Sequence, residues 1–303
     1  VSKAHVPATT AIGEAIGVPG ALRERRRRFE VLGRLRHHPS AVAGGTVLFV
    51  IVLITILAPV IAPYDPLATS PREARLAPSS DHLLGTDQLG RDILSRIIYG
   101  GRVSLLLGLI AVAIGGSVGT ILGLSAGYFR GFAELVIMQC IDILLAFPGF
   151  LLALAAVAVL GTGINNVMIA VGIGLIPSFA RVVRGSTLTV REMDYVESAR
   201  VVGVGHLRIL YRYILPNVLA PIMVLATVDV AGAILTGAAL SFLGLGAQPP
   251  TPEWGLMVNE GRRFLRVAWW ISTFPGVAIM IAVIAVNLVG DALRDVLDPR
   301  LRN

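Results

Sequence analysis

Few side chains in this chain are equipped for chemistry, and several of them crowd into one stretch, YVESARVVGVGHLRILYRYILPN, from Tyr195 to Asn217. Glu197 and Arg200 are three residues apart and can pair along an exposed helix face. Val196, Ala199 and Val202/Gly203 define a second face, small and weakly apolar, suited to a shallow groove on a partner. Gly203 and Gly205 would end or bend the helix and let a partner's backbone come close. Leu207 to Ile214 resumes as an amphipathic helix with Arg208 and Arg212 toward solvent or headgroups, and Pro216 fits the first turn of the next apolar helix. These residues allow a connector and a docking element equally.

Asp142 and Asp229 are the acids set deepest in apolar sequence. A carboxylate in lipid is costly, so each should face a bundle interior or a water-filled path. There it can contact substrate, carry a proton or make an interhelical hydrogen bond. Asn287 is expected to hydrogen-bond within the bundle. No catalytic set accompanies them. The one lysine is Lys3, which leaves no Walker A motif, and neither an HExxH, a GxSxG nor a paired Cys/His cluster occurs. His37 and His38 stand beside Arg36 and are expected at lipid headgroups. An enzyme and a metal site are therefore not expected.

These residues must be positioned by helices in a membrane. Of the 303 residues, 55% are hydrophobic and only 15% charged, against about a quarter charged in soluble domains. Mean hydropathy is +0.77, and several apolar runs exceed the roughly 18–20 residues that mark a span. The net charge of +7 comes from arginines flanking those runs, where they meet headgroups and set orientation rather than nucleic acid. The single cysteine, Cys140, excludes an intrachain disulfide. The opening residues do not read as a signal peptide.

The basic cluster Arg23, Arg25 to Arg28, Arg34 and Arg36 predicts a cytoplasmic tail over residues 1–40. The first span covers 41–62, and a polar extracytoplasmic segment with a short helix covers 63–102. A core of five further spans fills 103–290, and a cytoplasmic tail comes after it at 291–303. The second span, about Val103 to Ser125, leads into Gly127 and carries Gly115, Gly119, Gly123 and Gly127 on one face, a stripe for close helix packing. Leu135 to Ala180 fits two spans, kinked or broken at Pro148 and separated by a polar break at Gly161 to Asn166. Arg181 and Arg184 end the fourth span inside, which makes 185–213 a cytoplasmic loop. Spans five and six run from about Pro216 to Leu240 and Ala268 to Leu288. The expectation is an all-α polytopic membrane protein with six transmembrane helices and both termini cytoplasmic.

The external stretch His82–Leu105 is ordered. It reads as a helix from about Gly90, with Asp92 and Arg96 four apart on one face, and Asp87 able to cap or brace its start after a turn at Gly85-Thr86. It either meets another protein or covers the bundle.

Glu197-Ser198-Ala199, then Gly203, then Ile214-Leu215-Pro216, resembles the "EAA" loop of ABC-importer permeases, with Ser198 where that family has alanine. Gly85-Thr86-Asp87, Gly90-Arg91-Asp92 and Ser95-Arg96 resemble the external element of the dipeptide/oligopeptide (nickel) group, specifically its second ("C") permease. Ser241 to Gly246, Pro249 to Gly255, and the tail Gly290-Asp291, Leu293-Arg294-Asp295, Leu297-Asp298-Pro299-Arg300 match the same group. The likeness runs from about residue 35 onward.

That resemblance implies a type I ABC importer permease (MetI-like) fold in a bacterial or archaeal plasma (inner) membrane. It implies ATPase coupling through Glu197, Ser198, Ala199, Arg200, Gly203, Gly205, Ile214, Leu215 and Pro216. It also implies a homologous "B" permease, two cytoplasmic ATPase subunits that bind ATP and Mg, and an extracytoplasmic peptide-binding protein. Di- or oligopeptides are the expected cargo, with nickel, other metal complexes or haem as the alternative. From a different class, an ion-coupled secondary transporter using Asp142 or Asp229 stays open.

Overall fold

The computed structural model describes residues 38–297, and among them every long element is a helix. The basic cluster at Arg23–Arg36, His37 and the terminal Asp298-Pro299-Arg300 lie outside the described residues. Helix α1 covers Pro39–Ile56, with a short continuation α2 at Ala58–Ile61. Helix α3 is Ile93–Phe129, α4 Gly131–Leu145, α5 Gly149–Leu160 and α6 Ile164–Arg191. Helices α7, Asp194–Val201, and α8, His206–Ile209, lead through a π-helical turn at Leu210–Ile214 into α9, Leu215–Phe242. Helix α10 is Trp254–Gly261 and α11 is Trp270–Leu297.

Among the described residues, five helices are long and apolar enough to cross a membrane: α1, α3, α6, the continuous run from α8 through α9, and α11. The sixth expected span is the pair α4 and α5, which meet at 93°. Helices of this length rise only about 18–23 Å, short of a roughly 30 Å hydrocarbon core. Pro148 stands at the break as the N-cap of α5, where its missing N–H and its ring prevent continuation of α4. It makes a corner rather than the gentler kink.

Three boundaries differ from the sequence reading. No break separates the external helix from the second span, because α3 runs unbroken from Ile93. Helix α6 continues past Arg184 to Arg191, so the loop expected from 185 begins only after it. Helix α11 extends through the expected tail to Leu297, and His38 lies 3.5 Å from Asp295 on it.

The centre of the bundle is the contact of α3 with α6. A Cβ on Gly115 would come within 2.6 Å of Leu175 Cβ, one on Gly119 within 2.5 Å of Phe179 Cβ, and one on Gly127 within 2.7 Å of Thr187 Cβ. The four-residue glycine stripe therefore lets two backbones touch, as lipid-embedded helices require. Gly44 plays the same part between α1 and α11, where a Cβ would sit 2.6 Å from Leu288 Cβ.

Candidate functional site

The segment after α6 is built onto the end of α3. Val196 and Ala199 of α7 are buried at 0% and 7% exposure in a cluster with Leu124, Val183, Ile209 and Ile214. The small apolar face expected to meet a partner is instead the one that holds α7 to its own bundle. The outward side carries Glu197 and Ser198, both exposed, and a patch of Val201, Val202, Leu207 and Tyr211.

The expected Glu197–Arg200 pair is absent among the described residues. Arg200 lies over the Tyr128 ring, its guanidinium carbon 5.2 Å from the centroid, a cation–π contact. Tyr128 also meets His206 Nδ1 through its hydroxyl at 2.8 Å, and its carbonyl accepts a 2.6 Å hydrogen bond from Arg191. One buried tyrosine at the end of α3 thus ties together the end of α6, α7 and α8. Sequence reasoning missed it, since nothing local to Tyr128 distinguishes it from other interfacial aromatics.

Gly203 has φ +83°. Gly203 N–H donates to Arg200 O at 2.9 Å and Val204 N–H to Ala199 O at 3.0 Å. That is a Schellman C-cap, in which the residue after the helix adopts a left-handed conformation. Gly205 has φ −60° and begins α8, a backbone that any residue adopts. Neither has an atom within 4 Å of a Cβ position. Gly203 is thus required by backbone conformation, and the surface at both glycines is open. Pro216 falls in the first turn of α9, as expected, directly after the π-helical turn that contains Ile214.

At the opposite end of the bundle, the element expected to be external is a buried polar network. Asp87 accepts from Leu89 N, Arg91 N and Arg91 Nε, the last at 2.5 Å. Glu260, at the end of α10, receives Arg91 Nη2 and Arg96 Nη2, each at 3.1 Å. Asp92, four residues before Arg96 on the same helix, pairs elsewhere. It is the N-cap of α3, accepting from Ser95 N and Ser95 Oγ, and its other oxygen lies 3.0 Å from His82 Nδ1. Asp87 braces this helix start without capping it. Gly85 and Gly90 both take positive φ in the turns before α3. Thr86 O accepts from Trp270 Nε1 at 3.2 Å. Glu260 is the member that sequence spacing could not reveal, because it comes from the next external segment.

Glu253 closes the same cap. Its carboxylate accepts from Gly255 N, Leu256 N and Ser104 Oγ at 2.9, 2.8 and 3.2 Å. Burial pushes this carboxyl above its ordinary value, and those hydrogen bonds, with Ser241, pull against the shift.

The intramembrane polar residues separate. Asp142 on α4 pairs with Arg181 at 2.6 Å, both about half-exposed; of the two settings expected for it, the interior of this bundle is not the one it occupies. Asp229 is half-buried on α9, and its Oδ2 has no hydrogen-bond partner among the described residues. Asn287 is half-buried on α11, and its expected side-chain hydrogen bond is not formed among the described residues.

Comparison with known proteins accords with this architecture. Residues 119–303 match the family described as binding-protein-dependent transport system inner membrane component, and residues 29–78 match the N-terminal TM domain of oligopeptide transport permease C. The chain is 49% identical to the glutathione transport system permease protein of Pectobacterium atrosepticum, covering 93% of this chain and 92% of that protein. It is 46% identical to the di/tripeptide transport system permease protein of Pseudomonas aeruginosa, over 88% and 90% of the two chains. An inward-facing structure of the MetNI methionine ABC transporter shares the fold, with TM-score 0.55 at 17% identity over 67% of this chain and 97% of that one.

Proposed function

Because this chain belongs to the binding-protein-dependent transport system inner membrane components, we propose that it is one of two permease subunits of an ATP-driven importer of short peptides. It is an ABC transporter permease and a multi-pass inner membrane protein. The observation that carries the peptide reading is near full-length identity of 49% and 46% to permeases named for glutathione, itself a tripeptide, and for di- and tripeptides. Family membership sets aside the ion-coupled secondary transporter.

In this reading the segment from α7 to the π-helical turn is the cytoplasmic coupling surface, and both termini are cytoplasmic. Two partner ATPases bind ATP and Mg and grip the exposed side, where Glu197, Ser198, Val201 and Val202 are accessible. Rotation of that segment reaches the bundle through Tyr128 and through the π-helical turn into α9. A ligand shifts a two-state bundle only through contacts that differ between the states, and this segment offers such contacts without any nucleotide motif of its own. A homologous second permease completes the path, and an extracytoplasmic binding protein delivers the peptide to the cap.

The test is reconstitution of this chain with its second permease, two ATPase subunits and binding protein, followed by uptake of a radiolabelled di- or tripeptide. ATP-dependent uptake that requires the binding protein is expected. Uptake of metal complexes or haem with none of the peptide would overturn the substrate reading.

A further inference from the structure

Helices α4 and α6 present two carboxylate–guanidinium pairs, one after the other, along a face that the rest of the chain leaves open. Glu134 receives Arg184, and eight residues along α4, about 12 Å by helical rise, Asp142 receives Arg181. The pairs line a cavity of about 580 Å³ with Gln139, Met138 and Leu135, a volume within the usual range for small-molecule sites, about 300–1,000 Å³. The Asp142–Arg181 pair is 52% and 56% exposed. Asp142 engages Arg181 through Oδ1 alone and Arg181 engages Asp142 through Nη2 alone, which leaves acceptor and donor capacity on both.

Charged groups on membrane helices turn toward water-filled cavities or bundle interiors. This face is concave and carries both charge signs. A peptide with free ends is a zwitterion, and each of its charges needs a compensating group while it crosses a low-dielectric region.

We propose that the Asp142–Arg181 pair lines the translocation path and separates to receive the two ends of a short peptide, Asp142 taking the ammonium and Arg181 the carboxylate. Glu134 and Arg184 form the next such step along α4. This inference rests on the peptide reading above and adds the class recognised: short peptides with both termini free.

The experiment uses the complete transporter in proteoliposomes. Cys140, which is exposed, is first replaced by serine, and Met138→Cys is introduced beside the pair. The rate of reaction with a membrane-impermeant cationic thiol reagent is measured alone, with a millimolar neutral tripeptide, and with its N-acetylated, C-amidated analogue. Expected are rapid labelling, a slowing of at least threefold by the free tripeptide only, and loss of that protection when Arg181→Gln is added. Absence of labelling would mean that lipid or the second permease covers this face, and would overturn the proposal. Labelling that both peptides slow equally, or neither slows, would overturn the recognition of termini. Peptide uptake by the complex with its native Met138 and Cys140 is measured in parallel. Failure of uptake counts against the peptide reading itself, whereas uptake without protection counts only against this inference.

Discussion

The hydroxyl of Tyr128 meets Nδ1 of His206 at 2.8 Å, across 78 residues of sequence. The contact joins the end of the glycine-striped α3 to the first residue of α8. It makes the segment of α7 and α8 one body with the central helix pair, since Arg200 and Arg191 converge on the same tyrosine.

Replacing Tyr128 should therefore uncouple the transporter in two steps. Tyr128→Phe loses one hydrogen bond, worth about 0.5–1.5 kcal/mol, and keeps the ring under Arg200. Tyr128→Ala also loses the packing, at about 3–5 kcal/mol by analogy with aromatic truncations. ATP hydrolysis stimulated by loaded binding protein should fall modestly in the first and strongly in the second. Full stimulation in an assembled Tyr128→Ala complex would remove this tyrosine from the coupling route.

The two glycines of the loop should behave differently. Gly203 takes a left-handed conformation, which costs a residue with a Cβ about 1–2 kcal/mol. Gly203→Val should thus weaken transport-coupled hydrolysis, and Gly203→Asn should recover part of it, because asparagine tolerates that region. Gly205→Ala should leave thermal stability within about 0.5 kcal/mol. Equal damage from Gly203→Asn and Gly203→Val would show that side-chain volume, not backbone conformation, is what the loop excludes.

The external cap should depend on Glu260. Its carboxylate is the partner shared by Arg91 and Arg96, both about 1% exposed. Removing one member of a buried ion cluster leaves uncompensated charge and costs about 3–5 kcal/mol. Glu260→Gln should lower the unfolding temperature of the detergent-solubilised permease pair, whereas Glu73→Gln, at an exposed position, should not. An unchanged melting curve for Glu260→Gln would argue against a stapled cap.

Glu253 should give the cap a pH dependence. Its carboxyl is held above the ordinary value by burial, so the folded protein keeps this proton where the unfolded chain, at about pH 4.3, has begun to lose it. The resulting stabilisation is complete below the unfolded value and is lost as pH rises through the folded one. Thermal unfolding of the wild type should weaken over that window relative to Glu253→Gln. Parallel pH profiles for the two would contradict the shift.

Most of the helical skeleton was legible. The apolar runs, the Gly115–Gly127 stripe and the proline at 148 are local signals, because span length, close approach and a missing N–H are properties of neighbouring residues. The site was legible only as a location. The pairing that spacing allowed at Glu197–Arg200 did not form, because a group distant in sequence, the Tyr128 ring, offered Arg200 better geometry than the neighbour three residues away.

By itself, the sequence determined a multi-spanning helical permease with a marked loop between α6 and α9. Hydrophobic length and local backbone chemistry are written along the chain. Only the tertiary structure decided that the small apolar face of α7 turns inward, that Gly203 serves a backbone conformation, and that Asp142 pairs outward with Arg181. Which face is buried, and which charge finds which partner, depends on helices brought together from distant positions, and no local pattern records that.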